Sequence, residues 1–409
     1  MFLPDGRYVS SRSAIVARRD CGRLRLLGTD YNGLGYQVIA GSVPLLSGDH
    51  LHRLFARLLG HFSGLLQLTV RHDPIAVALE LTYAEYTEEI TESGIRDLDD
   101  AEVQFTIREQ LTMLEGLARG WVKYRLPHIL ALYDVVEIEK EWLWELGPGI
   151  LIPLRLDAVL RRKDDGLLYI MDYKGAAYID DAWQRIHEQS TQTMLYLEAL
   201  AERTGEPIGG IFYEGLVRGA WKKDTAESSP WSGRKIQQSP LCYGYRGPTK
   251  DGTIDYQSGY TNRKGWAKFR VADHMPLMAW LEVLEREGKL KEMFITMEPA
   301  SPAPELRGSI RQEVLLEEQR YIEGLREFNQ LQESHGIDDP ITITHLALIA
   351  GRNTERCYKY GSGSRCQFLD VGCLSPGMGL EALPVDDQFK PRVPHHDVTK
   401  LIIPLRKVA

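Results

Sequence analysis

The chain has 409 residues, 43% of them hydrophobic, and a formal net charge of -8. It is long enough to bury a large core and to hold two or three structural units, and its acidic balance excludes a protein that coats nucleic acid by bulk electrostatics, though not one with a local basic track. No run of about 18 apolar residues argues for a transmembrane helix, and the N-terminus lacks the continuous apolar segment of a signal peptide, so a cytoplasmic protein with reduced cysteines is expected.

In chain order, residues 1–30 carry a lone cysteine, Cys21. Gly48-Asp49-His50-Leu51-His52 then leads into an amphipathic run with Leu54, Phe55, Leu58 and Leu59. This opens a mainly helical stretch, 48–133, whose long segment from Asp99 to Tyr124 stops near Leu126-Pro127. VVEIEKEWLWEL at 135–146 reads as a strand whose alternating glutamates, Glu137, Glu139 and Glu141, form a solvated face, with approach to a metal as the alternative for any of them.

Residues 151–174, LIPLRLDAVLRRKDDGLLYIMDYK, are two apolar runs joined by Lys163-Asp164-Asp165-Gly166, which predicts a β-hairpin. With those four residues as the loop, Arg162 faces Leu167 and Asp157 falls opposite Asp172. Alternation then puts Arg155, Asp157, Val159, Ile170, Asp172 and Lys174 on one face. Leu156, Ala158, Leu160, Tyr169, Met171 and Tyr173 share the other, which can be buried. Cross-strand side chains sit roughly 5 Å apart, so two opposed carboxylates repel unless a cation lies between them. A divalent metal is the obvious candidate; a solvated surface ion pair is the alternative.

Asp181 to Arg203 reads as one helix, with Trp183, Ile186, Leu195, Leu197 and Leu200 at helical spacing and Gln192 and Tyr196 on one face. Residues 209–221 read as a further core strand, and 222–264 as a long loop or small insertion. Basic and aromatic residues interleave from Arg234 to Arg270, including Tyr243, Tyr245 and Lys268. They suit either a surface that stacks single-stranded bases or an ordinary polar loop. Helices with solvated charged faces follow at about 274–290 and 304–335.

Near the C-terminus Cys357, Cys366 and Cys373 are spaced C-x8-C-x6-C. Those wide spacings favour an iron-sulfur cluster over zinc, whose sites usually show C-x2-C pairs; ordinary reduced thiols are the alternative. Cys242 is left over as an incidental thiol. Without a Walker loop, an ATP-driven motor is not expected. The chain divides into 1–220, an insertion or loop region at 221–272, and a helical C-terminal region at 273–409.

The Asp157 strand, the Asp172-Tyr173-Lys174 strand and the Gln192-x-x-x-Tyr196 helix together resemble the RecB-like branch of the PD-(D/E)XK nuclease superfamily. His52 matches that family's upstream G-x-x-x-H. Cys21, Cys357, Cys366 and Cys373 are similar to the one-plus-three cysteines of its iron-sulfur exonucleases, of phage and CRISPR-associated type. The resemblance implies an α/β, restriction-endonuclease-like core, a central mixed sheet flanked by helices, with helical terminal parts closed by a 4Fe-4S cluster. It also implies Mg2+ or Mn2+ held by His52, Asp157, Asp172 and the Tyr173 carbonyl, with Lys174, Gln192 and Tyr196 completing the catalytic set. One imidazole among hard oxygen ligands tilts the choice toward Mn2+. The implied activity is a DNA exonuclease acting on single strands or ends, with a helicase or recombination partner. Leu154 stands where the family has a Gly, which would let a backbone or ligand approach closely. That departure keeps open a catalytically degenerate nucleic-acid-binding or assembly subunit.

Overall fold

The computed structural model describes the chain apart from residues 32–34, 39–42, 70–71, 93–100, 226, 228, 249–259, 262–265, 338, 352, 354–365, 367, 369–388, 393–400 and 402–409. The helices are α1 (Arg12–Asp20), α2 (Gly22–Arg25), α3 (Val43–Phe62), α4 (Pro74–Glu92), α5 (Ala101–Tyr124) and α6 (Leu126–Leu132). After them come α7 (Asp181–Glu188), α8 (Thr191–Thr204), α9 (Val271–His274), α10 (Leu277–Arg286), α11 (Pro304–His335) and α12 (Pro340–Ile349). The strands are β1 (Tyr8–Val9), β2 (Tyr36–Val38), β3 (Tyr133–Gly147), β4 (Ile150–Arg162), β5 (Leu168–Ala176) and β6 (Ile208–Val217). They continue with β7 (Ala220–Lys223), β8 (Lys235–Gln238), β9 (Tyr243–Pro248), β10 (Tyr260–Thr261), β11 (Trp266–Arg270), β12 (Phe294–Thr296) and β13 (Phe389–Pro391). None of the described helices is long and apolar enough to cross a membrane.

The architecture is α/β, with a central mixed six-stranded sheet flanked by helices. β3 pairs antiparallel along the whole of β4, which leaves β4 one free edge. Two strands share that edge: β1 runs parallel to its start, pairing Val9 with Leu151, and β5 runs antiparallel to its end, pairing Ala158 with Met171. β5 then pairs parallel with β6, and β12 closes the far side.

The hairpin forms in the register that its turn predicts. Gly166 takes φ +71°, a conformation glycine adopts without penalty, and Arg162 N–H donates to Leu167 O at 3.0 Å. Both faces of the hairpin are buried, however. Ala158, Leu160, Met171 and Tyr173 pack against Phe55, Leu117 and Trp121 of α3 and α5, while Val159 and Ile170 pack under Leu197 and Leu200 of α8. Leu156, expected beside Ala158, joins the α8 side instead, because β4 parts from β5 just there.

The helix predicted over 181–203 is two. Ser190 accepts from Thr193 N–H at 3.1 Å and caps α8, so the chain turns at Gln189-Ser190 rather than running through. The predicted loop at 222–264 also contains strands: β7 pairs with β8, and β9, β10 and β11 form a second antiparallel sheet. Its apolar residues are scattered rather than periodic, yet Ile236, Leu241, Tyr243 and Phe269 all enter the main core. Gly116 of α5 admits Leu241, since a Cβ there would meet the Leu241 side chain at 2.9 Å. Tyr243 is buried with its hydroxyl on Glu109, and Lys268 is buried over the Tyr243 ring, so neither is free to stack on a base. Lys250, Tyr256, Arg263 and Lys264 of the basic and aromatic run lie outside the described residues.

The two ends of the chain share a core. β13 pairs with β2, and Phe368 and Phe389 stack at 5.3 Å within a cluster that includes Leu26, Leu27 and Tyr321.

Candidate metal centre at a strand fork

Between its last pair with β1 and its first with β5, β4 has no strand on its second edge among the described residues. Pro153 falls in this gap, where a missing N–H breaks no ladder on that side. The gap opens into a cleft of about 330 Å³ lined by Asp157, Asp172, Lys174, Gln192, Tyr196 and His52, among others. Asp157 lies one residue beyond the last hairpin pair, and its Oδ2 accepts the Tyr173 N–H at 2.8 Å. The carboxylate thus takes the hydrogen bond that a neighbouring strand would otherwise supply, and it holds the fork open.

The other groups arrive from separate elements. α3 packs against the sheet through Leu54, Phe55 and Leu58 and carries His52 to the fork, where Nδ1 lies 2.9 Å from Asp157 Oδ2. His50 turns away to Glu89 Oε2 on α4 at 3.0 Å, so the helix itself separates the two histidines. Gln192 of α8 donates to Asp172 Oδ1 at 3.3 Å, Lys174 meets Asp172 Oδ2, and Tyr196 lines the same cleft. Leu154, in the place of the family's Gly, is buried with Leu195 and Ile152 and also forms part of the cleft wall.

Glu139 is the residue that the alternating pattern misassigned to a solvated face. Glu137 does pair with Lys140 and Arg203, and Glu141 approaches Arg155 at 3.6 Å. Glu139, by contrast, sits with φ +49°, a costly backbone for a non-glycine residue, and offers an oxygen to the same point as His52 and Asp157. The ligand atoms of these three lie within 4.8 Å of one another. Glu139 Oε2 meets Arg155 at 2.8 Å, but Oε1 is buried without a hydrogen-bond partner. No spacing could have singled it out; a β-bulge after Val135 sets its place on β3.

The electrostatics are those of a site short of positive charge. Burial, then repulsion from Asp157, pushes the Glu139 carboxyl up to about 7. Burial also raises Asp172, with Asp157 adding to it and Lys174 opposing. Asp157 is held below the usual carboxylate range, since its burial is outweighed by His52, Lys174 and the Tyr173 N–H. The same carboxylates outweigh burial at His52 and Lys174 and raise both.

Of the four predicted cluster cysteines, Cys21 and Cys366 are described; Cys357 and Cys373 lie outside the described residues. Cys21 sits at the turn between α1 and α2 with its Sγ 3.8 Å from Gly351 O. Asn353 donates to Asp20 O at 2.9 Å, so Gly351 and Asn353 both lie beside the turn that bears Cys21. Cys366 packs against the core that contains Leu26 and Phe368. Cys242 is buried elsewhere, its Sγ on Glu109 O.

No protein-family model matches this chain, and none of the curated proteins matches it.

Proposed function

We propose that the protein is a metal-dependent deoxyribonuclease, a RecB-like member of the PD-(D/E)XK superfamily that acts on single strands or DNA ends. The observation that carries the reading is the fork, which gathers Asp157, Asp172, Lys174, Gln192, Tyr196 and His52 from four elements into one cleft. The donor set fits a divalent cation: three carboxylates and one imidazole, one buried oxygen on Glu139 lacking a partner, and two carboxyl groups raised by burial and then by Asp157. Asp157, Asp172, Glu139, His52 and the Tyr173 carbonyl would hold Mg2+ or Mn2+, which when bound lowers the pKa of water and neutralises a phosphate oxygen.

The chain's own groups do the rest. Lys174 stays protonated beside Asp172 and places a fixed positive charge where negative charge grows on the phosphoryl group. Gln192 fixes the rotamer of Asp172 through its amide. Tyr173 N–H and His52 do the same for Asp157. Tyr196, on the wall, orients the strand.

Cys21, Cys357, Cys366 and Cys373 would hold a structural 4Fe-4S cluster that ties the two ends of the chain together. The segments bearing Cys21 and Cys366 already contribute to one core. A helicase or recombination partner belongs to the same proposal.

Purified protein with Mn2+ and end-labelled single-stranded or circular DNA tests the enzyme reading. Degradation by the wild type, lost in Lys174→Ala, is the expected result. No degradation, or equal degradation by both, overturns it in favour of a binding or assembly subunit. Iron and absorbance at about 400 nm in an anaerobic preparation test the cluster; a colourless, iron-free protein overturns that part.

A further inference from the structure

Two arginines flank Lys174 without an ion pair among the described residues, Arg218 and Arg12; a third arginine of the cleft, Arg392, lies by Gly28 O and Asp30 instead. Arg218 follows β6, its backbone N–H on Ala176 O at 2.7 Å. Its side chain lies across Gly175, the residue after Lys174, so closely that a Cβ there would sit 2.5 Å from Arg218 Nε. Nη1 lies 3.9 Å from where a Cβ on Gly48 would stand, one helical turn before His52. Gly175 therefore makes room for this guanidinium beside Lys174, and Gly48 lies within ordinary contact of it.

The guanidinium is poorly satisfied where it lies. Nε is buried without a hydrogen-bond partner, and the one side-chain bond, from Nη2 to Gly175 O, is long at 3.4 Å. Burial draws its pKa down, and no carboxylate counters the shift. Three other half-buried arginines, by contrast, are matched by acids: Arg57 meets Glu85, Arg125 meets Glu214 and Arg203 meets Glu137.

Arg12 is the second. It opens α1, is half-buried, and lines the same cleft as Lys174 and Gln192, near enough that its charge acts on the Tyr196 hydroxyl. Lys174 neighbours both arginines: it shares the cleft with Arg12, and the next residue lies under Arg218.

We propose that Arg12 and Arg218 grip backbone phosphates on either side of the reacting one, so that the ligand of this cleft is an extended nucleic-acid strand. The inference rests on the phosphodiesterase reading, which already takes a DNA strand as substrate, and adds to it the two residues that hold that strand on either side of the reacting phosphate. Guanidinium suits the task because its donors match two phosphate oxygens at once and its charge never titrates away.

The test is binding without turnover. Fluorescence anisotropy of a labelled single-stranded oligonucleotide is measured in EDTA over a range of salt for wild type, Arg12→Gln, Arg218→Gln, Arg218→Lys and the double Gln variant. Each Gln substitution is expected to weaken binding about fivefold to tenfold at 0.1 M salt and to make the salt slope shallower by about one. Arg218→Lys should keep the wild-type slope, which a merely structural role of Arg218 would not predict. Unchanged slopes in the Gln variants, a Lys variant with the slope of the Gln variant, or a wild type that does not bind the strand would each overturn the proposal. A wild type that binds but never cleaves would overturn the nuclease reading alone.

Discussion

Two clusters of buried carboxylates lie at opposite ends of one cleft, and they are built on different terms. At the junction of the chain ends, Arg25 is wholly buried between Asp30 and Glu318, with Nε 3.1 Å from Asp30 Oδ2 and Nη2 2.9 Å from Glu318 Oε2. Tyr8, Thr29 and Tyr321 donate to Asp30, and Ser10 donates to Glu318. Every carboxylate oxygen there has a partner, and Asp30 is held below the usual range because Arg25, the N-terminal amine and the Tyr8 and Tyr321 hydroxyls together outweigh its burial. At the fork, three carboxylates share one lysine, one histidine and Arg155, an oxygen of Glu139 is unmatched, and Glu139 and Asp172 are raised. A closed ion network serves structure; an open one of the same residue types leaves carboxyl groups to be neutralised by protons or, in the proposed reading, by a metal ion.

Substitutions at the two ends should therefore behave oppositely. The largest effect is expected at the fork: Asp157→Asn or Asp172→Asn should lower Mn2+-dependent DNA hydrolysis by about a thousandfold or more, and for Asp172→Asn, which removes a carboxyl raised by burial, the metal-free melting temperature should hold or rise. A melting temperature that falls with activity would erase the distinction between the clusters. At the junction, Arg25→Met leaves Asp30 and Glu318 buried without their cation and should cost about 3–5 kcal/mol in urea unfolding; a loss below about 1 kcal/mol would show that the hydroxyls suffice.

Glu139→Gln should weaken Mn2+ binding by about tenfold to a hundredfold in calorimetry, with a smaller change for Mg2+. The same residue sets a pH dependence. An unfolded glutamate titrates at about 4.3, below the value of about 7 in the fold, so the fold favours the protonated form. That stabilisation is complete below the unfolded pKa and is lost as pH rises through about 7. Metal-free wild type should melt lower at pH 8 than at pH 5.5, and Glu139→Gln should flatten the difference; His52, also raised, contributes with the same sign. The smallest effect is expected at the start of α8: Ser190→Ala removes the cap of that helix and should cost about 1 kcal/mol.

Much of the fork was legible because it depends on local rules. The turn Lys163-Asp164-Asp165-Gly166 sets the register of β4 against β5, and helical spacing brings Gln192 and Tyr196 to one face. Pro153 was a readable sign of the open edge that the strand pattern alone does not use. The break at Ser190 was equally available as a capping residue but was outweighed by the continuous apolar spacing around it. The strands of 220–270 were not legible, since their apolar residues enter the core singly and are held by partners far away, such as Leu241 at Gly116.

By itself, the sequence determined the elements whose geometry is fixed by neighbours in the chain: the hairpin, its two aspartates and lysine, and the amphipathic face of α8. The Gly48-x-x-x-His52 spacing already favoured His52 over His50, and the tertiary structure gives the reason, since the packing of α3 turns His50 to Glu89 and His52 to the fork. Only the tertiary structure moved Glu139 from a solvated face into the site through a bulge and an unusual φ, and set Arg218 across Gly175 beside Lys174. The physical reason is one of range: turn chemistry and periodicity act over a few residues, whereas the charge balance of a buried site is a sum over elements that meet only on folding.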